Sequence, residues 1–304
     1  MVLPKSNDGF VLFSVIWIAG LIAVVASTFA ISVHLHVKSE ANLAGSMEAE
    51  LAADGLVRLV AFDLGSAPLY NAGGEIPIDG KAVFCEIDST RRAAVTVQDQ
   101  GGLVDLNRAS LNVLATLVGR TAASASDGLS LAEALADFRD SDSIRFGVTK
   151  GGPEDSLIVD GPGMKNGPFQ SVDEIEQVIP PTMTDLARLK RMVTVYSRQD
   201  GIDPDVAPAE LKTVLGLDTD GERVAIPFAV SQHRTFAIDV EVTVGDGSKF
   251  RRLAMVSILR DPARPFAILE WRQGSGPIAT AARDSLSRSC ETFRYAQARS
   301  TSFN

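Results

Sequence analysis

Between Arg139 and Leu157 the chain reads RDSDSIRFGVTKGGPEDSL. Asp140 and Asp142 alternate in the manner of oxygen donors for a hard cation, and Glu154 with Asp155 could close a cage across a glycine-rich loop. Calcium is the ion that several carboxylates and carbonyls on such a loop would suit, whereas zinc normally takes His or Cys, absent from this stretch. The spacing departs from an EF-hand, and a solvated acidic loop is the competing reading of the same residues.

Covalent chemistry finds less support. His34 and His36 stand beside a long apolar run, and His233 is alone in a strand-like segment. Neither Cys85 nor Cys290 has a local histidine partner or a nucleophile motif. We read each histidine as an interfacial or surface residue and expect no enzyme; a hydrolase assembled from Asp and Ser residues distant in sequence is the reading this leaves open. Two cysteines are too few for a disulfide framework. They could pair in an oxidising compartment, but two independent thiols are expected.

The elements that must position these residues begin with NDGFVLFSVIWIAGLIAVVASTFAISV, Asn7 to Val33. The uncharged run from Phe10 to Val33 predicts a helix of roughly 36 Å, enough for about 30 Å of bilayer hydrocarbon. A cleavable secretory signal has a shorter apolar region of about 7 to 15 residues. Thr28 and Ala30 imitate a signal peptidase site but come late in the run, so the span is expected to stay. Lys5 and Lys38 balance one another and give no orientation. Overall, 29 basic and 38 acidic residues leave a net charge of -9, a poor match for nucleic acid phosphates. A hydrophobic content of 45% is ordinary for a chain that buries a core.

Past Val33 nothing breaks a helix before the Gly65-Ser66-Ala67-Pro68 cluster. Leu43, Met47, Leu51 and Gly55 recur at steps of four, and Leu56, Leu59 and Val60 extend the stripe, which predicts a long amphipathic rod packed through that face. Its partner is an expected antiparallel sheet from Ala82 to Asp88, Ala93 to Asp99, Thr235 to Val244, Phe250 to Leu259 and Phe266 to Arg272. Phe236, Ile238, Val240 and Val242 would face one way, and Asp239, Glu241 and Thr243 the other. Residues 103–220 instead carry short helical patterns, with Asn107, Ser110, Ser130 and Ser171 as caps. Within them VDLNRASLNVLATLVG matches IDPDVAPAELKTVLG, aligning Asp105 with Asp203 and Ala109 with Ala207. From Gly274 the chain turns rich in Ser, Ala and Arg without periodicity, and a disordered tail is expected.

A leader ending in Gly9, then Phe10, then an apolar helix continuing into a rod on an antiparallel sheet resembles the type IV pilin and pseudopilin families. Three ordered blocks narrow the likeness: VTVQDQGGLVDLNRAS, NGPFQSVDEIEQV and VTVYSRQDGIDPDVAPAEL resemble the pattern of general secretion pathway protein K, the large minor pseudopilin of type II secretion. The resemblance spans roughly residues 9 to 272. It implies an α+β protein with a type IV pilin-like fold and a large inserted all-α subdomain. The expected organisation is a leader over 1–9, a transmembrane helix over 10–33 and a continuing helix over 34–65. The sheet would come in two parts, 66–102 and 221–273, around the insertion at 103–220, with a tail over 274–304.

The resemblance further implies that a prepilin peptidase cuts between Gly9 and Phe10 and that the new terminus is N-methylated. Counting from Phe10, Ser14 falls at the fifth mature position, where major pilins carry glutamate; loss of that carboxylate is a feature of protein K. Members of that family bind calcium near the acidic loop, and Glu154-Asp155 falls where their acidic pair does. The implied role is to cap or initiate the pseudopilus at its tip and so support protein export. Implied partners are other minor pseudopilins, the prepilin peptidase and the inner-membrane platform, with a single pass through the cell inner membrane and a periplasmic C-terminal domain. A second reading comes from another class. The two helical units also resemble helix-hairpin-helix elements, as in a membrane-anchored DNA receptor, which would need exposed hairpin amides beside Lys or Arg. Here Gly101-Gly102 precedes Asp105 and an acidic loop follows, so no nucleic acid partner is expected.

Overall fold

The computed structural model describes residues 8–66, 76–122, 128–142, 165–182, 184–217, 226–261, 263–275 and 278. Its first element, helix α1 (Asp8–Ser66), runs for 59 residues, about 90 Å. No proline falls between Pro4 and Pro68, so no backbone amide is missing from its ladder.

Seven strands follow among the described residues: β1 (Asp79–Glu86), β2 (Arg91–Asp99), β3 (Val104–Asp105), β4 (Val193–Thr194), β5 (Thr235–Val244), β6 (Lys249–Asp261) and β7 (Arg264–Gln273). Five form an antiparallel sheet in the order β1-β2-β5-β6-β7. The alternation in β5 is realised as expected: Phe236, Ile238, Val240 and Val242 are fully buried in one core with Val83, Val95, Val97, Ala254 and Val256. The second half of α1 closes that core through Ala49, Ala53, Leu56, Val57, Val60 and Ala61. Small residues let the helix come close. A Cβ on Gly45 would stand 2.1 Å from an Asp246 carboxylate oxygen, so the β5–β6 turn rests on the helix backbone.

The helix presents a different face from the one its leucines suggest. Leu56 and Val60 are buried, but Leu43, Met47 and Leu51 are 63%, 55% and 70% exposed. Ala49 and Ala53 come two residues after Met47 and Leu51, about 200° further round the helix, and they are the ones against the sheet. The four-residue step is real, yet the narrower alanine stripe wins the sheet.

The insertion has its own core, with Leu106, Leu114, Leu117, Leu135, Phe138, Ile175 and Leu211 all at or below 1% exposure. Its helices are α2 (Leu111–Thr121), α3 (Gly128–Arg139), α4 (Leu186–Lys190) and α5 (Ala209–Leu215), with a 3-10 turn at Val172–Gln177. Ser110 and Ser171 precede helical turns as expected, and the Ser171 hydroxyl accepts from the Asp173 amide. Ser130 lies inside α3, and Asn107 is no cap: it exchanges hydrogen bonds with the Phe169 backbone at 2.9 and 2.7 Å, tying two loops together. The subdomain also contains the short parallel pair β3–β4, with Val104 opposite Val193. The internal repeat has a physical counterpart. Asp105 accepts from the Asn107 amide at 2.8 Å and Asp203 from the Asp205 amide at 3.0 Å, two equivalent buried turns.

The insertion docks on the sheet face away from α1. The Tyr196 hydroxyl donates to Glu270 of β7, and Arg272 approaches Asp173 at 3.5 Å. Burial, then the Glu270 carboxylate, holds the Tyr196 phenol above its ordinary range. The tail, expected to lack structure from Gly274, is held in its first residues: the Arg251 guanidinium donates to the Ser275 carbonyl at 2.9 Å, and Ile278 is buried.

Helix and sheet are also pinned electrostatically. Arg252 of β6 donates to Asp54 at 2.6 Å and Glu50 at 2.8 Å, with its guanidinium 4.7 Å from the Phe250 ring centroid and 5.1 Å from that of Trp271. Both acidic partners are partly solvated, which reduces what the pairs contribute. Arg252→Ala should lower unfolding stability by about 2 kcal/mol, and Arg252→Met, which keeps the apolar stem, by about half as much. Thermal unfolding of the purified protein measures both, and equal losses would remove the packing contribution claimed for the stem.

Candidate functional site

Gly9 and Phe10 occupy the first turn of α1, and Ser14 follows one turn later. Beyond them α1 is long and apolar enough to cross a membrane, with a mean hydropathy of 2.3 over its best 18 residues and none of that window buried within the chain. The exposed apolar surface does not stop at Val33. Leu35, Val37, Leu43, Met47 and Leu51 continue it for roughly 27 Å, and Gly55, on the same face as Met47 and Leu51, looks into open space. Exposed apolar ridges of this kind occur at contacts with other proteins or with membrane.

The acidic loop starts where α3 ends. Arg139 turns inward and donates to the Leu106 and Ala109 carbonyls at 2.5 and 2.8 Å, holding the turn that leads into α2. Its hydrogen bonds are thereby given to backbone carbonyls, while its charge still acts on Asp140 beside it. Asp140 and Asp142 are brought together, the Asp142 amide donating to Asp140 at 3.3 Å. Burial, then the Asp142 charge, raises the Asp140 carboxyl above its ordinary value. The two carboxylates supply oxygen donors of the kind a hard cation takes, but only two of them. Glu154 and Asp155 lie outside the described residues. Among the described residues no three His, Cys, Asp or Glu side chains gather round a metal-sized point.

A third cluster joins the insertion to the sheet, and sequence reasoning missed it. Asp99, 1% exposed at the end of β2, accepts from the Gly101 amide at 2.8 Å and from the Ser231 hydroxyl at 2.8 and 2.9 Å. His233 Nδ1 lies 2.5 Å from the same carboxylate. His233 is therefore not alone in a strand: it precedes β5, has a left-handed φ of 49°, and belongs to an Asp-His-Ser group. The bonding order differs from that of a hydrolase, because the Ser231 hydroxyl donates a hydrogen bond to Asp99 and accepts one from the His233 amide at 3.0 Å. Ser231 also reaches Asp203 through its amide at 2.7 Å. These bonds make a knot that fixes both ends of the insertion.

The hairpin glycines are consumed by the same knot. Gly101 and Gly102 are buried, and a Cβ on Gly102 would stand 2.3 Å from the Val206 carbonyl oxygen. With the Gly101 amide given to Asp99, this turn offers no exposed donors to a phosphate backbone.

The cysteines also depart from expectation. Cys85, buried on β1 in the helix–sheet core, is disulfide-bonded, and Cys290 is the chain's one other cysteine. An independent thiol at Cys85 is thereby excluded.

No protein-family model and no curated protein matches the chain. Among solved structures it is similar to a chain of the GspK-GspI-GspJ complex from the enterotoxigenic Escherichia coli type 2 secretion system. The identity is 17% and the TM-score 0.54, with 79% of this chain and 100% of that chain covered. The likeness shows a shared fold: a long N-terminal helix packed on an antiparallel sheet.

The knot yields a stability prediction. Asp99→Ala leaves a buried amide, a hydroxyl and an imidazole without their acceptor, and should cost about 3 kcal/mol. Asp99→Asn keeps the shape and part of the bonding and should cost about half of that. Denaturant unfolding of the three proteins would decide it, and a loss below about 1 kcal/mol for the alanine variant would show that the joint is held elsewhere.

Proposed function

We propose that this chain is a minor pseudopilin of a type II secretion system, acting at the tip of the pseudopilus to cap or initiate it and so to support protein export. The observation that carries this reading is the second face of α1. A helix that buries alanines against its own sheet while holding Leu43, Met47 and Leu51 out to solvent is built to lie against other helices. The fold shared with a chain of the GspK-GspI-GspJ complex supports the same assignment. The partners proposed are other minor pseudopilins, with the prepilin peptidase and the inner-membrane platform acting before assembly. The chain would cross the cell inner membrane once and hold its C-terminal domain in the periplasm.

In this reading residues 1–9 are removed by cleavage between Gly9 and Phe10, and Phe10 becomes the methylated terminus. Ser14 then stands where a filament subunit would carry a carboxylate to meet the terminal ammonium of the subunit above. A subunit with nothing above it has no ammonium to meet, which suits a tip position. The insertion, stacked on the outer sheet face by Tyr196 and Asp173, adds the bulk that a repeating array would exclude.

Expressed with the other minor pseudopilins of its own system, the chain should copurify with them and give an intact mass beginning at Phe10 plus one methyl group. Leu43→Glu with Met47→Glu should reduce recovery of the complex at least tenfold without altering the fold of the sheet domain. Failure of the unmodified chain to form any complex would end the tip reading.

Asp140, Asp142, Glu154 and Asp155 are proposed to hold a calcium ion that stabilises the insertion. Because burial and the Asp142 charge raise the Asp140 carboxyl, protons compete with the ion sooner than at an ordinary carboxylate, and affinity should fall as the solution is acidified. Calcium titration by calorimetry should register binding that Asp140→Asn weakens about tenfold; no heat at millimolar calcium would remove the site.

A further inference from the structure

Helix α1 does not cover its sheet evenly. Toward the β1 edge the core is closed: Val83 and Cys85 of that strand are buried, and Ile78 and Ile87, on either side of it, pack against the same core. Toward the β7 edge it is open. Ile268 and Trp271 pair with Val256 and Ala254, which belong to the core under α1, so both side chains stand on the α1 face of the sheet. Ile268 is nevertheless 40% exposed, and β7 thus overhangs the helix at the end of the sheet. The helix supplies a second wall. Leu51, Gly55 and Phe62 fall within about 40° of one another round α1. The leucine and phenylalanine are exposed, and a Cβ on Gly55 would meet nothing within 4 Å.

Between these walls stands Arg58, exposed, with its guanidinium 5.4 Å from the Trp271 ring centroid. Arg252 lies over the same ring at 5.1 Å but is paired with Asp54 and Glu50. Among the described residues no carboxylate pairs with Arg58. Covering this angle with apolar surface alone would strand that charge, whereas a cover that includes a carboxylate would pair it. We infer that the angle between α1 and β7 seats a helix of a different chain, apolar along one face, with a large side chain over Gly55 and an Asp or Glu level with Arg58. The inference rests on the assembly role proposed above and names the flank that the partner takes.

A helix suits the seat because the α1 wall is linear. From Leu43 to Phe62 it extends for about 29 Å along the axis, and the Gly55 notch between Leu51 and Phe62 is a hole that a knob on a facing helix fills. A second copy suits it poorly. Anchored in the same membrane, its α1 would run parallel, and a symmetric pair about this face would set Arg58 against Arg58. The bilayer is distant as well, since Arg58 stands about 37 Å of helix beyond Val33.

The full chain, coexpressed with the other minor pseudopilins of its own system, provides the test. Gly55→Leu fills the notch and should cut recovery of the complex at least fivefold. The variant itself should stay as stable as the parent, because open space surrounds Gly55 and leucine is the better helix former. Arg58→Glu should cut recovery by a similar factor, and Arg58→Lys, which keeps the charge, by less than twofold. A benzophenone amino acid in place of Ile268 should crosslink to the N-terminal helix of a partner, and the same probe in place of Lys81, at the opposite edge of the sheet, should not. If the parent chain forms the complex and Gly55→Leu and Arg58→Glu are recovered equally well, the seat is overturned and the tip reading stands; if the parent forms none, both fall. Crosslinks from the Lys81 position alone would overturn the flank, and crosslinks from the Ile268 position to a second copy would overturn the partner.

Discussion

The insertion depends on one buried carboxylate. Asp99 ends the last strand before the chain leaves the sheet, and the chain that returns more than 130 residues later reports to the same two oxygens through Ser231 and His233. Departure and return are thus held at a single point, and the sheet between them closes as though nothing had been added: β2 pairs with β5 without a register shift from Arg91 to Asp99. A large addition is tolerated when its ends meet, because the sheet then has no gap to span. Asp203, accepting the Ser231 amide, extends the same constraint into the subdomain's second repeat.

Two separate cores follow from this arrangement. The helix–sheet core is mostly Val, Ile and Ala from α1 and four strands, and the insertion's core is mostly Leu, Val and Ile from its own helices, turns and short strands. Polar contacts at Asp173 and Tyr196 join them, and these leave the α1 side of the molecule unobstructed. The partitioning matters for assembly. The exposed ridge of Leu43, Met47 and Leu51 belongs to the same rigid unit as the sheet but faces away from it and from the insertion docked beyond.

What the sequence made legible was mostly local. The alternation in β5 and the unbroken span of α1 are periodic signals that depend on neighbouring residues, and both are realised. The repeat around Asp105 and Asp203 was visible as a pattern, though its reason, a carboxylate folded back on the amide two residues on, required coordinates. Three features were illegible for a common cause. His233 and Asp99 are 134 positions apart, Cys85 is closed by a partner distant in sequence, and the choice between two apolar stripes on α1 was made by the shape of the sheet opposite. Each is decided by a contact between remote segments, which periodicity does not encode. At the candidate metal site the chain showed its two aspartates, but gave no hint that Arg139 would turn its charge inward to the Leu106 and Ala109 carbonyls.

The length of α1 has a mechanical consequence. A helix of 59 residues with no proline, seated on a sheet by alanines and pinned by Arg252, behaves as a strut whose upper end is built into the body it carries. Load applied to its lower end is directed along the axis, and the β5–β6 turn resting against Gly45 braces the column where the sheet begins. A displacement at one end would be passed towards the sheet along an unbroken backbone ladder, with no proline on the way to kink it.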